Sequence, residues 1–148
     1  MWRRAESDDH YRLFVRATVV TAEEPLLLSH HSAAALHNLP IIGPWPKVVH
    51  AINNDTAGGS SARFTTSHRS VVEPEPVTIN GCAATTLTRT LIDVAATSSF
   101  LVGVTMMDHA LRVEQERGQR ERQQGSTSAP VLCKDDLYAE LAMVHPRR

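Results

Sequence analysis

The chain has 148 residues, of which 42% are hydrophobic, so its length and composition suit one globular domain with a modest core. Its formal net charge of −1 excludes a global basic field that would attract nucleic acid, so any DNA contact needs a local patch. Cys82 and Cys133 lie far apart, and no apolar run approaches the roughly 20 residues of a membrane helix, which together indicate a cytoplasmic protein without disulfides.

The N-terminal part of the chain predicts a helix, a short strand and a second helix. Asp8 and Asp9 can cap the first helix, which ends at Pro25. The leucines at 26–28 then favour a short buried strand, and the second helix covers residues 29–39. One face of the first helix carries Tyr11, Val15, Thr18, Val19 and Ala22.

The corner between this strand and the second helix concentrates polar residues. Ser29 is placed to cap the helix, and Pro40 ends it because proline disfavours helical geometry in the residue before it. The alanines at 33–35 allow close packing. Asn38 can accept left-handed backbone geometry.

The middle of the chain predicts short strands. Residues 47–52 favour one strand, and residues 63–68 favour another near a sheet edge. Between them, residues 53–61 are rich in turn-forming residues and predict a mobile polar loop. Two prolines exclude a central strand at 71–76, and residues 77–79 form a short β-branched strand before an Asn-Gly turn.

The C-terminal half is predicted to be helical. One helix starts at Thr85 or Thr86, with a core-facing stripe of Leu87, Leu91, Val94 and Ala95. The next helix is capped by Ser98 or Ser99. Its expected core face carries Phe100, Val104, Met107 and Leu111.

We expect residues 8–112 to form the domain, residues 113–130 to be a polar linker, and residues 131–148 to carry a short amphipathic helix. The elements together predict an α/β (α+β) fold, in which a small mixed sheet of about 3–5 short strands packs against about 4–5 helices.

Four histidines, His30, His31, His37 and His50, raise the hypothesis of a metal site. Zinc needs three or four ligands in tetrahedral array, and ligands on one helix are three or four positions apart. The chain contains no His-x-x-x-His or Cys-x-x-Cys pair. We therefore predict no metal and no cofactor, and expect these histidines to bond to nearby backbone.

Catalysis by a serine nucleophile would need a hydroxyl beside a base. Ser29 and Ser32 are the candidates, but the Gly-x-Ser-x-Gly elbow is absent, and so is a phosphate-binding loop. The sequence predicts no catalytic residues and a protein that is not an enzyme. A hydrolase that uses Ser32 or a histidine-bound metal remains a third hypothesis.

Two charged pairs have helical spacing. Arg89 and Asp93 are one turn apart, and Asp108 and Arg112 repeat the arrangement on the next helix. We expect these charges to organise the structure, since an exposed pair stabilises by only a few tenths of a kcal/mol.

Five basic residues are the candidates for binding a polyanion. Arg63, His68 and Arg69 come first because they adjoin the polar loop, where basic side chains can reach phosphate. Arg89 and Arg112 come second. The alternative interpretation is that all five are ordinary solvated charges.

Four sequence blocks occur in a recognisable order. SHHSAAALHNLP at 29–40, VVH at 48–50, TLTRTLIDVA at 86–95 and DHALR at 108–112 resemble the central region of actinobacterial AbiEi-like proteins. This family comprises antitoxins and transcriptional regulators of type IV toxin–antitoxin systems. The structural motif residues within the blocks are Ser29, His30, Ser32, Arg89, Asp93 and Asp108.

The resemblance implies a three-part plan: a winged helix that binds operator DNA, a central α/β region linked to antitoxin action, and in many relatives a Vsr-type endonuclease domain. Nothing before Asp8 matches the first part and nothing after Val144 matches the last, so we expect a truncated form. The resemblance thus implies a non-enzymatic antitoxin or regulator domain that antagonises a nucleotidyltransferase toxin indirectly. The alternative is an accessory domain of a Vsr-like endonuclease-related protein that has lost its catalytic part.

Overall fold

The computed structural model describes residues 2–53, 64–125 and 132–144. These residues form five helices: α1 (Trp2–Thr21), α2 (His30–Leu36), α3 (Leu87–Thr97), α4 (Phe100–Gln123) and α5 (Lys134–Val144). The strands are β1 (Leu27–Leu28), β2 (Val49–Ile52), β3 (Thr65–His68), β4 (Pro76–Ile79) and β5 (Cys82–Thr85). The predicted α+β fold with a small mixed sheet is confirmed.

The five strands form one sheet in the order β3-β2-β1-β5-β4. β1 lies at the centre although it has only two residues, because it pairs antiparallel with β2 and parallel with β5. β3 runs parallel to β2 at one edge, and β4 runs antiparallel to β5 at the other. The edge position predicted for 63–68 is therefore confirmed for β3.

The core lies between the sheet and the helices. Leu28 of β1 and Val49 of β2 are fully buried beneath the alanines of α2, where small side chains allow close approach. Gly103 of α4 packs against Ala95 of α3; a methyl group built on Gly103 would lie 3.1 Å from the Ala95 Cα. None of the helices in the described ranges is long and apolar enough to cross a membrane.

Several predicted elements are confirmed. The strand at 26–28, the helix from Thr86 and the helix at 134–144 all form. Thr86 caps α3, since its side chain accepts a hydrogen bond from the Arg89 amide at 3.2 Å. Asn38 has φ of 59°, so the expected left-handed residue is present where the chain leaves α2.

Other predictions were wrong. The first helix begins at Trp2 and not at Asp8, and residues 113–123 continue α4 where we expected a linker. Intrahelical ion pairs around Arg117 occur in that polar stretch, and such pairs favour helix. The strand β5 was missed because Cys82–Thr85 contains two alanines, which are poor strand formers.

The predicted core face of α4 was wrong at its first two residues, whereas Met107 and Leu111 are partly buried against the core as expected. Gly103, Met106 and Ala110 are its buried residues, whereas Phe100 is 85% exposed and Val104 is 45% exposed. The helix is therefore rotated relative to the expected stripe. The reason is tertiary, because the contact of Gly103 with Ala95 determines which face of α4 approaches α3.

Candidate functional site

The polar corner at the start of α2 is a hydrogen-bonded turn. Ser29 is the N-cap residue, and its carbonyl accepts from the amides of Ser32 and Ala33. Its side chain makes no capping hydrogen bond, contrary to the predicted role; the Oγ lies 2.9 Å from Nδ1 of His30 instead. His30 has φ of 49°, a left-handed conformation that non-glycine residues seldom adopt.

Ser32 joins three elements through one hydroxyl. The His50 amide donates to Ser32 Oγ at 2.8 Å, and the Tyr11 hydroxyl lies 2.9 Å from the same oxygen. The Tyr11 hydroxyl donates in turn to the carbonyl of Val48 at 2.9 Å. Burial raises the pKa of Tyr11 to about 12, although the bond to Ser32 opposes this rise. Tyr11 is therefore neutral at physiological pH. Because its proton goes to Val48, the Ser32 hydroxyl donates to Tyr11 and accepts from His50, so its proton and one lone pair are engaged in structural bonds.

Four imidazoles from α2, β2 and β3 form what we call the histidine cluster: His30, His31, His50 and His68. Nδ1 of His50 lies 2.8 Å from Nε2 of His68. The ring of His30 stacks on that of His68, with centroids 3.7 Å apart, and the ring of His31 lies 5.5 Å from that of His50. The parallel pairing of β2 with β3 places His50 and His68 near each other, since Ile52 is opposite His68 in the register.

The histidine cluster does not contain the same four histidines that the sequence brought forward as candidate metal ligands. His37 lies elsewhere, and its Nε2 donates to the carbonyl of Thr85 at 2.9 Å. His68, which was predicted as a polyanion contact, takes its place. The parallel pairing of β2 with β3 brings His68 to His50, and the sequence of two short strands does not reveal that they pair.

The cluster favours neutral imidazoles. Burial, reinforced by the other histidines and Arg89, lowers the pKa of His30 to about 3. Burial, together with His31 and His68, lowers the pKa of His50 to about 4. Burial also lowers the pKa of His31 and of His68, and in His68 the nearby Asp93 carboxylate opposes the effect. A desolvated imidazole gives up its charge because the protonated form loses more hydration.

The predicted pair Arg89–Asp93 is present and buried. Nε of Arg89 donates to Asp93 Oδ1 at 2.9 Å, and the two side chains are 6% and 7% exposed. Arg89 also donates to Ser70 Oγ at 2.7 Å and lies 3.8 Å from Glu140 of α5. One guanidinium thus connects α3, the segment after β3, and α5. We expected an exposed pair of little energetic value, and its burial corrects that expectation.

The candidate polyanion residues do not form one surface. Arg63 lies outside the described residues. Arg89 is buried in its ion pair, and His68 is held in the histidine cluster as a neutral imidazole, so neither suits a phosphate contact. Arg69 and Arg112 are exposed.

Asp108 is exposed on α4, as is Arg112 one turn later. No ion pair joins these two described residues at a nitrogen–oxygen distance of 4.0 Å or less. Asp108 and Arg112 therefore share the helical spacing of Arg89 and Asp93 but do not form an ion pair with each other.

The histidine cluster lacks the arrangement of a metal site. Within residues 2–53, 64–125 and 132–144, no group of three or more His, Cys, Asp or Glu side chains is placed to hold a metal ion. A tetrahedral ion needs three or four ligand atoms that converge on one point, whereas Nδ1 of His50 and Nε2 of His68 bind each other. No family model, no curated protein and no solved structure matches this chain.

Proposed function

We propose that this chain is a non-enzymatic domain of an AbiEi-like antitoxin or transcriptional regulator. The observation that supports the proposal is the convergence of three of the four family-like blocks. Ser32 of α2 is hydrogen-bonded to the amide of His50 of β2, and the buried Arg89–Asp93 pair of α3 lies close enough to act electrostatically on His30 and His68. These residues of the family-like blocks therefore lie in the interior of this domain, where they hold its elements together.

The bonding within the network supports a structural role for these residues. The Ser32 hydroxyl is shared by Tyr11 and the His50 amide, and Arg89 is neutralised by Asp93. A nucleophile needs a free hydroxyl beside a base, and a phosphate-binding arginine needs an accessible guanidinium. The function is then carried by surfaces of the domain, and the polar interior fixes their shape.

The antitoxin part of the proposal rests on the resemblance. Its cellular setting is the cytoplasm, its target is a nucleotidyltransferase toxin antagonised indirectly, and the DNA contact in such proteins belongs to a winged helix. We expect no stable complex between this chain and the toxin.

Co-expression tests the proposal. The chain and a nucleotidyltransferase toxin encoded beside it are placed under separate inducible promoters, and growth is measured after toxin induction. We expect the wild-type chain to restore growth, and we expect size-exclusion chromatography of the mixed proteins to show separate peaks. Absence of rescue by a chain that is folded by circular dichroism contradicts the antitoxin function.

Ser32→Ala separates the non-enzymatic proposal from a hydrolase, and His10→Gln on the exposed face of α1 is the control. Both variants, when folded by circular dichroism, are expected to rescue growth as well as the wild type. Loss of rescue by folded Ser32→Ala alone would indicate that its hydroxyl performs chemistry.

A further inference from the structure

The histidine cluster has a position in the fold that the proposed function does not use. Its outermost member, His68, is the last residue of the edge strand β3. Within the part of the chain that the structure describes, β2 is the only strand that pairs with β3. The bonds at its two ends run from the Val49 amide to the Phe64 carbonyl at 2.7 Å and from the Asn53 amide to the His68 carbonyl at 3.0 Å. An edge strand is hydrogen-bonded to one neighbouring strand only, so less free energy is needed to detach it than to detach a central strand.

The hydrogen bond between His50 and His68 requires a neutral acceptor. In the pair formed by Nδ1 of His50 and Nε2 of His68, 2.8 Å apart, one nitrogen donates a proton and the other accepts it. Protonation of the acceptor would place two N–H groups face to face. His30, whose ring stacks on that of His68 at 3.7 Å, stays neutral in mild acid because burial lowers its pKa to about 3, so the bond to His50 is the contact that protonation of His68 breaks.

The interior of the histidine cluster offers few hydrogen-bond acceptors to a newly protonated imidazole. Nδ1 of His31 and Nε2 of His50 are buried with no hydrogen-bond partner within the described ranges, so a proton added at either atom gains no acceptor there. A buried N–H without an acceptor costs roughly 1–3 kcal/mol in proteins.

Charged groups also face the cluster from the packed helices. Arg89 of α3 opposes a positive charge on His30, and Asp93 of α3 favours one on His68. Glu140 of α5 faces Arg89 and not the imidazoles. The carboxylate nearest the cluster therefore directs the first proton to His68, the member that belongs to the edge strand.

We propose that the histidine cluster is an acid-sensitive latch in which Nδ1 of His50 donates to Nε2 of His68, so that proton uptake at this His68 nitrogen breaks the contact with His50 and releases β3 from β2 while the helices stay folded. The step is a simple protonation: a hydronium ion gives its proton to Nε2 of His68 and becomes water, and the nitrogen that accepted the hydrogen bond becomes an N–H of a cationic ring. The released ladder exposes the edge of β2. This inference is independent of the antitoxin proposal.

Two-dimensional NMR of the full chain between pH 7.5 and 4, in buffer containing EDTA, tests the latch. The native amide signals of Thr65–His68 and of Asn53 are expected to disappear at a higher pH than the far-UV circular dichroism of the helices. The His68 ring proton signal should titrate together with that loss. Coincidence of the NMR and circular dichroism transitions overturns the proposal, as does a His68 ring that stays neutral while β3 is released.

His68→Phe keeps an aromatic ring against His30 but cannot take up a proton. In this variant we expect the midpoint of β3 release to move down by at least half a pH unit, whereas His10→Gln, which removes an exposed histidine, leaves it unchanged. An unchanged midpoint in folded His68→Phe refutes the latch. If that variant does not fold, the wild-type ring titration decides the question on its own.

Discussion

Removal of the Asp93 carboxylate is the most direct test of how the buried network stabilises the fold. In Asp93→Asn the guanidinium of Arg89 keeps its hydrogen bond to Ser70 at 2.7 Å but loses the carboxylate at 2.9 Å. The remaining anion, Glu140, is 3.8 Å away and lies on another helix. The variant therefore leaves a buried cation that is only partly compensated.

The expected cost follows from that burial. Removing one partner of a buried ion pair costs about 3–5 kcal/mol, because the other charge stays desolvated. Glu140 offsets part of this, so we expect about 3 kcal/mol of lost unfolding free energy, or roughly 10 °C in Tm for a chain of this size. Asp9→Asn is the matched control, since Asp9 pairs with Arg12 at 3.0 Å but is 77% exposed. We expect less than about 1 kcal/mol there.

Urea denaturation followed by circular dichroism measures both variants. A double variant, Arg89→Met with Asp93→Leu, removes both charges and is expected to recover more than half of the loss, because replacing a whole buried pair by apolar groups is much less costly than breaking it. The reasoning is refuted if Asp93→Asn costs no more than Asp9→Asn, or if the double variant is less stable than the single one.

Two further predictions concern pH and packing. The pKa of His30 and His50 is lowered by burial to about 3 and about 4, so the unfolded chain binds more protons below its own histidine pKa of 6.5. Stability is thus fully present above pH 6.5 and is lost as pH falls toward 4. For two such histidines the loss from pH 7 to pH 5 is about 3–4 kcal/mol, measurable by urea titration at each pH; a change below about 1 kcal/mol would contradict neutral buried imidazoles. Gly103→Val adds a branched side chain where a Cβ already meets Ala95 at 3.1–3.2 Å, so we expect a loss of about 2 kcal/mol. Gly118→Val on α4, where the nearest atom is a flexible arginine nitrogen at 3.5 Å, is its control. Since valine has a higher helix propensity than glycine, an equal loss in both variants would show that the contact with Ala95 is not the cause.

Much of the fold could be predicted from local sequence patterns because helix caps and apolar helix faces depend on residues close together in the chain. The capping threonine at 86 and the heptad-like stripe of α3 depend on residues within one or two turns, and both were read correctly. β5 was missed because alanine prefers helix, and only pairing with β1 and β4 on both sides makes it a strand. The rotation of α4 depends on a glycine whose partner lies on another helix.

For the site, two groups of residues could be singled out from the sequence: the polar corner at 29–32, and Arg89 with Asp93, which are one helical turn apart. The sequence could not determine that the pair is buried, since burial depends on α5 and the segment after β3 covering it. Nor could it place His68 beside His50, because the two residues are 18 positions apart in the sequence and only the parallel register of β2 with β3 brings them together. Whether a histidine is charged depends on how much water its neighbours exclude. That is a property of the assembled tertiary structure, and no local sequence pattern encodes it.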